Sequence, residues 1–306
     1  MRVLSLIASS TEMVYALKAE GFLVGRSHEC DYPSAVKNLP QVTKPAFNTE
    51  LSSRKIDEQV KSHLKDALSI YQVDRELLKE LKPDVILTQT QCEVCAVSLK
   101  DVQNALTGDL GFTPKLVSLN PNALKDIWED FKQVSIALGL DAYGQEIIFN
   151  LQNRMSEIQK KSSVLANKPT VALIEWIDPL MAAGNWMPEL IEMAGGVSLF
   201  GEAGKHSPWM KLEELVSKNP DVIIVSPCGF DMSRTLQEFH LLKDNSDFKK
   251  LKAYKTKKIF IADGNQYFNR PGPRVAESLE IMAEILHPQV FHFDRYPKGW
   301  IEAPLQ

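Results

Sequence analysis

Lys82-Pro83-Asp84-Val85-Ile86-Leu87 recurs later in the chain as Asn219-Pro220-Asp221-Val222-Ile223-Ile224. Each copy follows an amphipathic helical pattern, at 75–81 and at 212–216, and each is followed by a cysteine. Proline ends the helix, aspartate turns the chain, and the branched apolar residues are typical of a strand buried in a parallel sheet. The repeated stretch therefore predicts two related α/β units.

Two further correspondences keep the same order along the chain. The strand-like run Val3–Ile7 and a helix ending at Gly21 resemble the run Val171–Ile174 and a helix ending at Gly195-Gly196. Similarly, the strand at 115–118 corresponds to the strand at 258–261. We therefore predict an α/β fold of two Rossmann-like lobes, each a mostly parallel sheet with flanking helices.

A mostly helical span separates the two repeats. Its second half has apolar residues on one helical face, from Ile147 to Ile158, which predicts a helix from Ala142 to Ser163. We predict an N-terminal α/β lobe at 1–120, a helical linker at 121–168 and a C-terminal α/β lobe at 169–306. The long helix is expected to be rigid, so closure on a ligand should be modest.

Composition narrows the function classes. The 306 residues are 44% apolar and 24% charged, which excludes disordered and coiled-coil classes. The 35 basic and 39 acidic side chains give a net charge of −4, which argues against a nucleic-acid partner. No apolar run approaches the ~18–20 residues of a membrane span.

The N-terminal residues bear on localisation. The apolar run Val3–Ile7 is too short for a secretory signal, and Ser9-Ser10-Thr11-Glu12 has the capping-box pattern of a helix start. We therefore expect a cytoplasmic protein, or a periplasmic or extracellular one if an export signal has been removed. We also expect a monomer.

Polar, aromatic and thiol side chains follow the predicted strands, where open parallel sheets bind ligands. A cleft between the lobes lined by aromatic rings and a few polar groups suits a bulky, partly flat ligand. The candidate ligand-binding residues are Ser9, Ser10, His28, Cys30, Tyr32, Gln91, Cys92, Trp176, Trp186, Cys228, Phe230, Phe268 and Arg270.

Several of these candidates have a structural alternative. The two tryptophans either stack on a ligand or pack between elements, and Ser9 either caps its helix or lies beside a bound anion. Arg270 either holds a carboxylate or phosphate of the ligand or forms a salt bridge at the edge of a lobe.

The four cysteines, Cys30, Cys92, Cys95 and Cys228, allow several interpretations. With His28 they could form a thiolate-rich zinc site, Cys92 and Cys95 could form a redox disulfide, and each could be a buried apolar residue. A thiol or His28 could also contact the face of a bound metal complex. We expect at least two thiols to react with a maleimide before ligand binds.

Enzyme signatures are missing from the sequence. It contains no phosphate loop GxxxxGK[ST], no GxGxxG after a strand, no GxSxG elbow and no HExxH. The sequence therefore predicts a protein that is not an enzyme and requires no cofactor.

The repeat, the long helix and two longer segments resemble a known family. The stretches Gly184–Gly196 and Arg270–Pro288 look like those of the cobalamin and iron-siderophore substrate-binding proteins of ABC importers, closest to the cobalamin-binding branch. The resemblance implies two lobes joined by one rigid helix, with a cobalamin, another corrinoid or a related metal complex held between them.

The same resemblance implies a partner permease, which the family contacts through a surface glutamate on each lobe. Glu93 is the nearest acid in the first lobe, and the second lobe has no clear counterpart. Non-catalytic capture of a small molecule is the leading hypothesis. The alternative is a cytosolic metal-binding or thiol-dependent protein that uses the same cysteine-lined cleft.

Overall fold

The computed structural model describes residues 1–65, 69–90, 99–107 and 111–305. The chain divides into two compact units, one of Met1–Pro121 with Lys125–Asn150 and one of Asn122–Leu124 with Leu151–Gln306. We call them unit 1 and unit 2. The predicted three-way division at residues 120 and 168 stays a prediction.

Unit 1 is built on a four-stranded sheet and a separate strand pair. Its strands are β1 (Val3–Ser5), β2 (Leu23–Arg26), β3 (Thr43–Pro45), β4 (Tyr71–Val73), β5 (Val85–Gln89) and β6 (Lys115–Leu119). The order β2-β1-β5-β6 is parallel throughout, while β3 and β4 form an antiparallel pair. Every residue of β1 and β5 is buried, as expected for strands covered on both faces.

Among the described residues, six α-helices begin in the first half of the chain. They are α1 (Ala8–Ala16), α2 (Ser53–Lys65), α3 (Arg75–Leu81), α4 (Leu99–Ala105), α5 (Leu124–Ala137) and α6 (Asp141–Ser163). Asp74 caps α3 by accepting the Leu77 N–H at 3.0 Å, and Lys82 ends the helix in the left-handed conformation. Helix α6 has 23 residues and confirms the predicted long helix.

Unit 2 contains a larger, mixed sheet. Its strands are β7 (Thr170–Trp176), β8 (Met181–Ala182), β9 (Val197–Ser198), β10 (Val222–Val225), β11 (Ile259–Ala262) and β12 (Trp300–Glu302). The order is β12-β11-β10-β7-β8, and β9 also pairs with β7. The central strands β7, β10 and β11 are parallel, and β8 and β12 are antiparallel additions at the edges. The predicted α/β class with mostly parallel sheets is confirmed.

The helices of unit 2 include a long central one. They are α7 (Met187–Met193), α8 (Leu212–Lys218), α9 (Met232–Glu238), α10 (His240–Lys243), α11 (Lys252–Lys255) and α12 (Val275–Leu286). All residues of α12 except Glu277 are buried. The Glu280 carboxylate accepts hydrogen bonds from Arg154 and Arg295, and that of Glu284 accepts one from the Trp300 indole at 3.0 Å. The bonds from Arg295 and Trp300 anchor the segment after α12 to the helix, and the bond from Arg154 joins α6 to it.

The predicted start of the first helix is wrong. The helix begins at Ala8 with Ile7 as its N-cap and no side-chain cap, so Ser9 lies inside the helix instead of capping it. It also ends at Ala16, where Lys18 turns the chain with φ of 53°, and does not extend to Gly21. Within the described ranges, no helix combines the length and the apolar character needed to cross a membrane.

Candidate ligand-binding loops

The loop after β2 holds His28 at a defined position in unit 1. Its Nδ1 lies 2.8 Å from Thr43 Oγ1, and Thr43 Oγ1 also accepts the backbone N–H of His28 at 3.1 Å. The imidazole packs against the ring of Tyr71 with centroids 5.2 Å apart, and Tyr71 in turn contacts Phe47. Burial and the nearby charge of Arg26 lower the pKa of His28 to about 4. The side chain is therefore a neutral imidazole at neutral pH.

Cys30 belongs to a buried group of polar side chains, the hydroxyl–thiol cluster of Ser5, Ser10, Thr11, Ser27 and Cys30. The Thr11 hydroxyl donates to the Cys30 sulfur at 3.0 Å, and Ser27 Oγ lies 3.3 Å from it. Cys30 has no exposed surface, and burial raises the pKa of its thiol. The structure thus places Cys30 as a protonated interior thiol, which is a poor environment for a metal-bound thiolate.

Ser9 and Ser10 are both buried in the first turns of α1 but differ in their contacts. Ser10 Oγ lies 2.7 Å from Ser5 Oγ and donates to the Ile7 carbonyl at 3.0 Å, so it belongs to the cluster. The Ser9 hydroxyl has no hydrogen-bond partner among the residues that the structure describes. Tyr32 is 43% exposed and precedes Pro33.

Four residues named in the sequence analysis lie outside the described residues. They are Gln91, Cys92, Glu93 and Cys95. In the described part of the chain, no three His, Cys, Asp or Glu side chains come together in a way that could hold a metal ion. The zinc set of Cys30, Cys92, Cys95 and Cys228 therefore stays a prediction.

In unit 2, an aromatic pair lies at the carboxyl ends of β7 and β10. The rings of Trp176 and Phe230 are tilted by 54° with centroids 5.2 Å apart. The Arg234 guanidinium lies 4.6 Å from the Phe230 centroid, a cation–π distance, and also pairs with Glu238 at 2.5 Å. Sequence reasoning missed Arg234, because its place above the ring depends on α9 following the Phe230 loop closely.

Backbone hydrogen bonds hold three loops of this edge together. The Cys228 N–H donates to the Glu175 carbonyl, and the Asn265 N–H donates to the Phe230 carbonyl, each at 3.0 Å. The Asn269 side-chain amide donates to the Ser226 carbonyl at 3.2 Å. The loops after β7, β10 and β11 therefore form one cross-linked surface, on which Cys228 is half-buried.

The loop after β11 is organised by Asp263. Its carboxylate accepts the N–H groups of Asn265 and Gln266 at 3.0 and 2.8 Å and caps the π-helical turn Gly264–Phe268. Burial raises the pKa of Asp263. Arg270, 5% exposed, donates to Asn265 Oδ1 at 3.0 Å. Phe268 is 1% exposed, so the structure places it in the interior.

Two buried indole donors are the most informative polar atoms of unit 2. Neither the Trp176 nor the Trp186 Nε1 has a hydrogen-bond acceptor within the described residues, although both atoms are buried. The Trp186 loop is joined to β7 through Ser207, which accepts the Gly184 N–H at 3.0 Å and donates to Glu175 at 2.9 Å. Buried donors without acceptors are rare, because burial removes their water without replacing it.

Comparison with known proteins gives relatives along almost the whole chain. An uncharacterized ABC transporter substrate-binding lipoprotein of Bacillus subtilis is 20% identical over 295 residues, covering 95% of this chain and 81% of the relative. A vitamin B12-binding protein of Vibrio vulnificus is 24% identical over 288 residues, covering 92% and 89%. Among solved structures, a periplasmic heme-binding protein of Pseudomonas aeruginosa superposes with a TM-score of 0.70 at 18% identity, covering 94% of this chain and 93% of that one.

These relatives correct one expectation. The prediction of a cytoplasmic protein is wrong, because the relatives include a lipoprotein and a periplasmic protein, which point to a location outside the cytoplasm. They also do not favour the alternative of a cytosolic metal-binding or thiol-dependent protein.

The family match agrees with the fold and with the resemblance noted in the sequence. The model of the periplasmic binding protein family matches residues 3–265, which include both predicted repeats and all the predicted ligand-binding residues except Phe268 and Arg270. Each unit contains a sheet with parallel central strands, and residues predicted to bind ligand follow those strands. The chain therefore belongs to the periplasmic binding protein family.

Proposed function

We propose that this protein is the substrate-binding component of an ABC importer and captures a cobalamin or another corrinoid without catalysing a reaction. Haem, another flat metal complex, is the second candidate. The vitamin B12-binding protein and the periplasmic heme-binding protein among its relatives support a ligand of this kind. A permease is the expected macromolecular partner, and no cofactor is required.

The observation that carries the proposal is the pair of aromatic rings, Trp176 and Phe230, together with the Trp176 indole N–H, which has no hydrogen-bond acceptor in the described part of the chain. Trp176 is half-buried, packs against Phe230 and can offer ring surface to a flat ligand, and its N–H is buried. A corrin ring is edged by amide side chains whose carbonyl oxygens accept hydrogen bonds. One such ligand would satisfy both features of the loop.

The thiol chemistry of the alternative hypothesis has less support. Cys30 is enclosed by hydroxyl groups and its pKa is raised, so it is neither accessible nor ionised at neutral pH. Cys228 is half-buried, and its backbone, not its sulfur, makes the bond that joins two loops.

Ligand titration tests the proposal. Cyanocobalamin, dicyanocobinamide and ferric haem would each be titrated into the protein and followed by calorimetry and tryptophan fluorescence. We expect micromolar or tighter binding of at least one corrinoid. Haem binding without corrinoid binding would favour the second candidate, and no binding of any of the three would contradict the proposal.

A tryptophan variant tests whether the Trp176 N–H contributes to ligand binding. Trp176→Phe keeps most of the ring surface but removes the N–H, so corrinoid affinity should fall by about tenfold. Trp128→Phe, on α5, is the matched control and should leave affinity unchanged. Equal effects of the two variants would show that the Trp176 donor has no specific role.

A further inference from the structure

His28 has one ring nitrogen engaged and one free. Nδ1 contacts Thr43 Oγ1 at 2.8 Å, whereas Nε2 has no hydrogen-bond partner within the described residues. The side chain is half-buried, so a ligand has access to the ring.

Thr43 lies where its hydroxyl can fix the tautomer and the orientation of the His28 ring. Its hydroxyl oxygen has two lone pairs, and one accepts the backbone N–H of His28 at 3.1 Å. The second lone pair is available to accept Nδ1–H, which leaves the lone pair of Nε2 free to bind a metal. A hydrogen bond of this kind on the far nitrogen is the usual way in which proteins orient a metal-binding histidine.

Packing and charge support the same role. Thr43 and Tyr71 are 3% and 5% exposed, and each begins one strand of the β3–β4 pair, so the bonded nitrogen and the ring face of His28 rest on fixed neighbours. The low pKa of His28 keeps the imidazole neutral, as coordination requires. Arg26 opposes the imidazolium form by its own positive charge.

We propose that His28 Nε2 binds the metal of the captured tetrapyrrole at an open axial position, with Thr43 as the positioning residue. The inference rests on the proposed function, and it narrows the ligand to a metal complex that has an exchangeable axial site. The step is a ligand substitution: the metal–water bond breaks, the metal–Nε2 bond forms, and the water leaves for solvent. No electron is transferred, and Nδ1 keeps its proton.

Two forms of cobalamin distinguish axial ligation by His28 from binding that does not involve the metal. Aquocobalamin carries an exchangeable axial water, whereas the cyanide of cyanocobalamin does not exchange. We expect the visible spectrum of aquocobalamin to shift on binding to the wild-type protein. With His28→Ala the shift should be lost, and the affinity for aquocobalamin should fall at least tenfold more than the affinity for cyanocobalamin.

Further variants identify the cause of any loss. His240→Ala is the matched control, because His240 also has Nδ1 bonded, to the Gln237 carbonyl at 2.9 Å, but lies in unit 2 on α10. Thr43→Val should reduce the preference for aquocobalamin over cyanocobalamin, and Thr43→Ser should restore it. A purely structural role of Thr43 would lower both affinities equally.

The outcomes also separate this inference from the proposed function. If the wild-type protein binds cyanocobalamin but the aquocobalamin spectrum does not change, axial ligation is wrong and corrinoid capture stands. A spectral shift that persists in His28→Ala likewise overturns the role of His28. If no cobalamin binds, ferric haem decides: a shift of the Soret band on binding that His28→Ala abolishes supports the inference, and any other result, including no haem binding, overturns it.

Discussion

Gly264 lies against the backbone of Pro227: a Cβ built on Gly264 would lie 2.1 Å from the Pro227 carbonyl oxygen. The contact joins the loop after β11 to the loop after β10, backbone against backbone. Glycine is needed at this position because of the close approach, not because of its backbone angles.

Gly264→Ala should therefore separate these loops. We expect a loss of about 1–3 kcal/mol of unfolding free energy and weaker ligand binding, since the loop of Phe230 must shift. Urea denaturation and ligand titration measure the two effects. Gly21→Ala is the control, because a Cβ there meets nothing within 4 Å. Unchanged stability of the Gly264 variant would show that the loops accommodate the methyl group.

The two described cysteines should differ sharply in reactivity. Cys30 has no exposed surface and a raised pKa, whereas Cys228 is half-buried. In a variant that keeps Cys30 alone, maleimide should label the protein only after unfolding. A variant that keeps Cys228 alone should label in the folded state, and ligand should slow the reaction. Rapid labelling of Cys30 in the folded protein would contradict its assignment to the core.

Asp130 predicts a pH dependence of stability. Its carboxylate is 4% exposed and accepts the Asn120 N–H, and burial raises its pKa from 3.8 to about 7. The folded protein therefore keeps the proton up to about pH 7, while the unfolded chain loses it near pH 4. The stabilisation from this proton is full below about pH 4 and is lost as pH rises to 7.

Asp130→Asn removes this titration. The variant should gain stability relative to the wild type as pH rises from 4 to 7, by about 2–4 kcal/mol in all, and the difference should level off above pH 7. Urea denaturation at pH 4.5, 6 and 8 measures it. A difference that does not change with pH would mean that Asp130 titrates normally in the folded protein.

Among the carboxylates of α12, Glu280 should be the one whose substitution lowers the stability of the protein most. Its oxygens lie 2.6 Å from Arg154 and 2.6 Å from Arg295, and its side chain is 5% exposed. Glu280→Gln removes the negative charge between the two guanidinium groups, of which only Arg295 keeps a second carboxylate among the described residues, that of Glu277. About 2 kcal/mol of stability should therefore be lost, and Tm should fall by about 5 °C.

An exposed ion pair provides the control for that variant. Glu157 and Lys160 lie 2.8 Å apart on α6 with side chains 63% and 70% exposed, so Glu157→Gln should change Tm by less than a degree or two. If the two variants were equally stable, the Glu280 network would contribute little to anchoring the segment after α12.

Strands bounded by strong local signals could be predicted from the sequence. The branched run Val222–Val225 lies between two Pro-containing turns, which predict the strand that forms β10. The strand predicted at 258–261 forms β11 one residue later, at Ile259–Ala262. The long helix was predicted to within one residue, since its apolar residues recur at helical spacing and Gly139 interrupts the pattern before it.

Features that depend on distant residues could not be predicted. Ser9 has the sequence pattern of a helix cap, yet the helix starts one residue before it, where Ser10 bonds to Ser5 and to the Ile7 carbonyl. Cys30 follows a strand, like a site residue, but is enclosed by Thr11 and Ser27. The partnership of His28 with Thr43 likewise depends on the placement of the β3–β4 pair, for which the sequence offers no local signal.

The division of α6 between the two units limits where the chain can be divided into fragments. The boundary falls between Asn150 and Leu151, in the middle of a helix, and the chain changes unit twice more, after residues 121 and 124. A fragment meant to contain unit 1 has to run to residue 150 and will end in half a helix. Limited proteolysis should not separate the units there, because helical backbone resists cleavage. A split-protein reporter would be better divided at an exposed turn such as the one near Gly204.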